Sequence, residues 1–131
     1  MAWSHNERDF NGVFASVIQL RAAGLVIGGD PYFTSRSKLL AVLATRYAVP
    51  AVFENREFGA AGGVISFGVR ISDSYRLAGV YVARILKGEK PADLPVQQGT
   101  KIELFMNLKT AKELSLTIPP SIMVRADDVI E

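Results

Sequence analysis

The chain contains no cysteine. Disulfides, thiolate metal sites and cysteine nucleophiles are therefore excluded. It has one histidine, His5, in an opening segment that reads as a fraying end. The folded part then has no imidazole to act as a general base, and no cluster of carboxylates and imidazoles shows metal-ligand spacing. Long apolar runs are also missing: none approaches the ~20 residues of a membrane helix. Met1-Ala2-Trp3-Ser4-His5-Asn6-Glu7-Arg8 has no apolar stretch of the signal-peptide kind, so the chain as written is expected in the cytoplasm. Excess charge is small: 15 Lys and Arg stand against 13 Asp and Glu. With no basic stripe, nucleic acid is not an expected partner. Gly28-Gly29 is not a dinucleotide fingerprint, and Gly59-Ala60-Ala61-Gly62-Gly63 lacks the Lys-Ser/Thr of a phosphate loop. No cofactor, metal site or catalytic residue is expected, and an enzyme is disfavoured.

What is present suits one globular unit: 131 residues, 49% hydrophobic and 21% charged. In segment 8–22, Phe10, Val13, Phe14, Val17 and Ile18 recur at helical spacing, which predicts an amphipathic helix. Ser4 with Glu7 fits a capping box, Asn6 is an equal candidate start, and Gly24 is the expected stop. Leu25-Val26-Ile27, bounded by glycines, predicts a buried parallel strand. A loop at 28–31 leads to a helix at about 35–48 carrying Leu39, Leu40, Val42, Leu43 and Tyr47. Pro50 ends it, and Ala51-Val52-Phe53 is the second strand of a right-handed βαβ unit.

A charged loop at 54–58 and a small-residue turn at 59–63 precede a third strand, Val64-Ile65-Ser66-Phe67, closed by Gly68. Ser72 is the expected cap of a helix at 73–87, ended by Gly88-Glu89-Lys90-Pro91. Residues 101–106 predict a fourth strand, and Asn107 the cap of a helix at 108–115. Ser121 is the expected cap of a last turn at 122–127, with Asp127-Asp128 as its solvated end. The fold class is α/β, a mostly parallel sheet flanked by helices. The chain opens on a helix with no strand before it, so residues 1–131 read as a single incomplete α/β unit, the back part of a larger one.

In an open α/β sheet, ligands bind at the carboxyl ends of the strands. The loops there, 28–35, 54–58 and 67–71, gather Asp30, Tyr32, Phe33, Arg36, Glu54, Arg56, Glu57 and Arg70. Aromatics stack, arginine pairs with a carboxylate, and Asp or Glu takes an ammonium, so the set suits a small polar or zwitterionic ligand. Asp30 with Glu57 is the one candidate acid/base pair, and nothing in the spacing demands it.

Longer motifs narrow this. They are Gly29-Asp30-Pro31-Tyr32-Phe33-Thr34-Ser35-Arg36, then Val49-Pro50-Ala51-Val52-Phe53-Glu54-Asn55-Arg56-Glu57-Phe58, then Ser66-Phe67-Gly68. Further on come Ala83-Arg84-Ile85-Leu86-Lys87-Gly88, Pro91-Ala92-Asp93-Leu94-Pro95 and Ile118-Pro119-Pro120. In order, they resemble the C-terminal portion of ABC-transporter substrate-binding proteins of the periplasmic-binding-protein-like, tryptophan/tyrosine uptake type. The resemblance implies a two-lobed periplasmic protein that clamps a small solute, possibly amino-acid-like in chemistry, and delivers it to an ABC permease. It maps the family's cleft onto Asp30, Pro31, Tyr32, Glu54, Arg56, Glu57, Phe67 and Gly68, beside the Arg36 chosen by the strand-end rule. Tyr32 stands where the family often has Phe, Phe53 and Phe67 where it often has Tyr, and Gly99 where it often has Pro. The expected function is that of a truncated solute-binding component. The alternative is a cytoplasmic ligand-sensing or dimerising module that reuses the half-fold. An incomplete sheet also invites self-association through its unpaired edge.

Overall fold

Phe10, Phe14 and Val17 lie one turn apart on α1 (Glu7–Gln19) and are all buried. They pack against α3 (Ser37–Arg46), whose Leu40, Ala41, Leu43 and Ala44 form the facing stripe. The computed structural model describes residues 7–97 and 101–131, with side chains from Asp9 onward. The capping box at Ser4 and the departure at Gly99 lie outside the described residues. The rest of the stripe predicted for α1 is half-buried at Val13 and 49% exposed at Ile18, so the buried face is narrower than the apolar one.

The strands are β1 (Leu25–Val26), β2 (Ala51–Phe53), β3 (Ile65–Val69), β4 (Ile102–Asn107) and β5 (Asp128–Ile130). They form one sheet in the order β1-β2-β3-β4-β5. The pairs β1–β2, β2–β3 and β4–β5 are parallel, in the registers Leu25↔Ala51, Phe53↔Ser66 and Phe105↔Asp128. Asn107, at the end of β4, donates from its backbone to the carbonyl of Val64, just ahead of β3, at 2.9 Å. The end of one strand thus meets the start of its neighbour, the arrangement of an antiparallel pair. Register places Ala51, Phe53 and Ser66 on the face that carries the core, where all three are buried. Val26, Val52, Ile65 and Phe67 fall on the opposite face by the two-residue period. There Val26 is 81% exposed and Phe67 55%, and a groove of about 300 Å³ separates the sheet from Leu116, Ile118 and Ile122. The first strand is therefore a thinly covered edge, where the apolar run alone predicts full burial.

Element ends depart from the expectations, each for a local reason. α1 stops at Gln19, well before Gly24. Arg21 adopts φ +51, and Ala22 donates to the Val17 carbonyl at 3.2 Å, closing the helix with a residue in the place glycine usually takes. The helix predicted at 35–48 is α3, and ahead of it Asp30 caps an additional short turn, α2 (Pro31–Thr34), with proline at its first position. Residues 54–58 are not a loop. Asn55 accepts from the backbone N–H of Glu57 at 2.8 Å and starts α4 (Arg56–Ala60), which drives Phe58 into the core. Gly68 continues β3 rather than closing it.

α5 (Ile71–Leu86) has Arg70, not Ser72, at its cap position, and Gly88 at φ +104 ends it as expected. Asn107 caps α6 (Leu108–Glu113), also as expected. Pro119, not Ser121, precedes the short α7 (Pro120–Met123). Asp127 and Asp128 are not a helix end: Asp127 bonds both backbone groups of Leu104, and Asp128 opens β5.

Two compact units are present. One carries α1 to Gly68 and resumes at Glu103; the other is Val69–Ile102. The first holds the buried core. In the second, no residue of α5 is buried, and the Tyr81 hydroxyl donates to the Pro95 carbonyl in the segment that follows the helix.

Candidate functional site

Parallel pairing of β1, β2 and β3 brings the carboxyl ends of three strands to one edge of the sheet. The loop after β1 contributes Gly29 and Asp30, the segment after β2 contributes Glu54, and Gly68 lies near the end of β3. Glu54 sits between the other two. Its carboxylate lies so close to the Gly29 α-carbon, and its backbone carbonyl so close to that of Gly68, that a methyl group at either glycine would overlap it. At Gly68 the contact is with backbone and excludes a larger residue, whereas at Gly29 it is with the movable end of the Glu54 side chain. The Glu54 side chain is exposed and has no hydrogen-bond or ion-pair partner among the described residues. Its main chain is fixed against Gly68, and its carboxylate is an exposed acceptor.

Beside it, the Asp30 carboxylate accepts from the Tyr32 backbone N–H at 2.7 Å, which commits one oxygen to holding α2. Pro31 fixes the first helical position. Arg36 lies over the Tyr32 ring, 4.1 Å from its centre, and donates to the Ser35 hydroxyl at 2.8 Å. Behind them, Phe10, Tyr32 and Phe33 form a triangle of rings with centroids 5.7 to 6.2 Å apart. The Tyr32 hydroxyl is buried without a hydrogen-bond partner among the described residues. Tyr32 therefore packs on Phe10 and Phe33 and presents its ring face to Arg36.

Arg56 has a different place from the one its charge suggests. Its guanidinium is bonded to Asp128 of β5, lies 3.7 Å from Glu103 of β4, and rests 4.8 Å from the centre of the Phe105 ring. Glu103 is buried, with the Arg56 guanidinium as a cation beside it. The sequence reading missed Glu103 and Asp128. Arg56 and Asp128 are 72 positions apart, and no local pattern joins them. Glu57 is exposed on α4, and its backbone N–H is held by Asn55. Phe67 extends from the sheet face opposite the core and is more than half exposed. Arg70 belongs to the second unit. The structure thus brings Gly29, Glu54 and Gly68 together at the strand ends, keeps Asp30, Pro31, Tyr32 and Arg36 on the segment that follows β1, and turns Arg56 toward β4 and β5.

A groove of about 580 Å³ lies elsewhere, lined by Thr45, Arg46, Gly62, Lys109 and Glu113 among others. Its Thr45 hydroxyl already bonds the Ala41 and Gly62 carbonyls. The strand-end cluster is the better candidate, because its exposed carboxylate stands where three parallel strands end. Among the described residues, no group of three or more His, Asp or Glu side chains is placed to hold a metal ion. No described helix is long and apolar enough to cross a membrane.

No curated protein matches the sequence. Solved structures do match in fold. A conserved domain protein from Vibrio cholerae is 23% identical with a TM-score of 0.85, covering 98% of this chain and 43% of its own. An ABC domain from Streptococcus pneumonia in complex with L-Trp is 24% identical with a TM-score of 0.80, covering 94% and 41%. A ligand-free, open substrate-binding protein with adhesive properties from Clostridium difficile is 18% identical with a TM-score of 0.63, covering 95% and 41%. The chain thus spans about two fifths of each of these proteins. The profile of the ABC transporter substrate binding protein family matches residues 5–130, and the chain belongs to that family.

Proposed function

We propose that the chain supplies one wall of a solute clamp in an ABC-type importer, and that its solute is a small amino-acid-like molecule. The observation that carries this is Glu54, an unpartnered carboxylate seated between Gly29 and Gly68 where three strand ends meet. A carboxylate so placed takes an ammonium. The Arg36 guanidinium over the Tyr32 ring, on the segment after β1, is a second feature suited to the carboxylate or flat side chain of such a solute. The complex with L-Trp in a protein of the same fold supports an aromatic amino acid as the first candidate. In a longer parent, a second lobe would close over the solute and an ABC permease would receive it. The arrangement binds and orients; nothing in it activates a nucleophile.

One wall buries less than the 70–90% of a ligand that a closed pocket reaches, so the affinity of this chain is expected in the range of about 0.1–1 mM. At 10 mM ligand that corresponds to roughly 1.4–2.7 kcal/mol of added stability, a rise of several degrees in Tm. The test is a thermal-shift and calorimetric titration with free L-amino acids, L-Trp included. Glu54→Gln should keep the unliganded Tm, because the side chain is exposed, and weaken binding about tenfold. Equal binding by Glu54→Gln, or no response to any amino acid, would remove this reading.

A further inference from the structure

The sheet reverses direction between β3 and β4, so it has a second set of carboxyl ends. β4 and β5 are a parallel pair that finishes at Asn107 and Ile130. The bond from the Asn107 backbone to the Val64 carbonyl places that finish beside the start of β3. This is the edge of the sheet opposite Glu54 and Gly68. Carboxyl ends of parallel strands are where an α/β sheet takes ligands. The groove of about 580 Å³ opens there, and every residue that lines it belongs to the first of the two compact units. Three helices wall it and are tied to one another. The Thr45 hydroxyl of α3 donates to the Gly62 carbonyl just past α4, at 3.2 Å. The Asn107 amide, at the cap of α6, donates to the Gly59 carbonyl of α4 at 3.1 Å. These bonds hold the walls at a fixed spacing. The charged side chains of the lining are not used by them. Arg46 comes from the last turn of α3, and Lys109 and Glu113 come from α6. All three are exposed, and none has a hydrogen-bond or ion-pair partner among the described residues. Lys109 and Glu113 stand four positions apart, where a helix pairs opposite charges, and still do not pair. Val42 and Ile130 add apolar surface to the same groove. Val42 is 56% exposed although it belongs to the apolar set of its helix.

We infer that this groove is a second ligand site, for a small carboxylate with an apolar body. Arg46 offers the carboxylate a planar fork of donors, and Lys109 adds a second cation from another element. The body of the ligand packs on Val42 and Ile130, in the manner of a pocket that is mostly apolar with a few polar groups. Charge selects the head group. Two cations and the Glu113 carboxylate leave one positive charge in the lining. That balances a carboxylate. A phosphate monoester carries about −1.5 to −2 at pH 7 and would meet Glu113 with charge to spare. The groove and the strand-end cluster lie at opposite edges of the sheet, so both can be filled at once. This inference does not rest on the solute clamp.

The test is an NMR titration of the isotope-labelled full chain with benzoate, with neutral benzamide and phenyl phosphate as comparisons. Benzoate should move the Gly62 and Thr110 amide signals saturably, with a Kd of about 1–10 mM for so small a ligand in an open groove. Signals at Gly29 report the strand-end site, so the two readings fail separately. Arg46→Gln and Lys109→Gln should each weaken benzoate binding about fivefold. Lys112→Gln removes the same charge from the same helix outside the groove and should leave it unchanged. Benzamide and phenyl phosphate should each bind more weakly than benzoate. No movement at Gly62 and Thr110 up to about 50 mM benzoate would overturn the proposal. So would movement that Arg46→Gln and Lys109→Gln leave intact, or equal binding of benzamide. Tighter binding of phenyl phosphate would overturn the choice of a carboxylate.

Discussion

At the scale of single residues, Tyr32 and Asn107 show opposite treatments of a buried polar group. The Tyr32 hydroxyl is buried without a partner among the described residues, and such a group costs about 1–3 kcal/mol. Tyr32→Phe keeps the ring against Phe10 and the platform for Arg36, so it should raise stability by about 1 kcal/mol in a urea titration. A loss on that substitution would show that the hydroxyl is satisfied. Asn107 is satisfied at both ends of its amide. Its oxygen accepts from the Thr110 backbone N–H at 3.0 Å, and its nitrogen donates to the Gly59 carbonyl at 3.1 Å. Asn107→Ala removes a helix cap and one of two bonds to the Gly59 carbonyl, which also accepts from the Gly62 N–H at 3.2 Å, for an expected loss of about 1–2 kcal/mol. The cap was legible from a single asparagine ahead of a helical run. The bond to Gly59 was not, because it spans 48 positions.

At the scale of elements, periodicity located the cores of helices and strands better than their ends. Phe14 is 1% exposed and stacks on Tyr47 with centroids 5.7 Å apart, as a residue in the middle of a helical stripe should. Phe14→Ala should cost about 3–5 kcal/mol in the same titration. Ends depend on caps that compete. Arg21 closed α1 ahead of Gly24, and Asn55 converted a charged stretch into α4. The C-terminal end of α5 is held by Arg84, bonded to both oxygens of Glu89. The hydrogen bond to Arg84 holds the Glu89 carboxyl below its ordinary pKa and raises that of Arg84 further. A carboxyl whose folded pKa lies below its unfolded one stabilises above the unfolded value and loses this as pH falls through the folded value. Both side chains are well exposed, so solvent screens the pair and its contribution is small. Amide exchange at Gly88 and Glu89 should therefore quicken selectively as pH drops below the usual carboxylate range, after correction for intrinsic rates. Glu89→Gln should abolish that dependence.

At the scale of the whole molecule, glycine-bounded apolar runs alternating with helical stripes were enough to establish an α/β fold with a mostly parallel sheet. They also placed three loops at the carboxyl ends of strands, because parallel strands put all such ends on one edge. Gly29→Val tests the convergence found there. The added side chain should displace the exposed Glu54 carboxylate and abolish any amino-acid response, with little change in stability, because the end of a flexible side chain can move aside. Binding at native strength in that variant would show that the three loops need not meet. The sequence by itself determined the fold class, the strand-end loops and the family resemblance, since these rest on local periodicity, turn chemistry and ordered motifs. Only the tertiary structure decided that Glu54 is free while Arg56 is engaged by Glu103 and Asp128, and that the sheet packs its core on one face. Those outcomes depend on which strands become neighbours, and contacts between residues far apart in the chain leave no periodic trace in it.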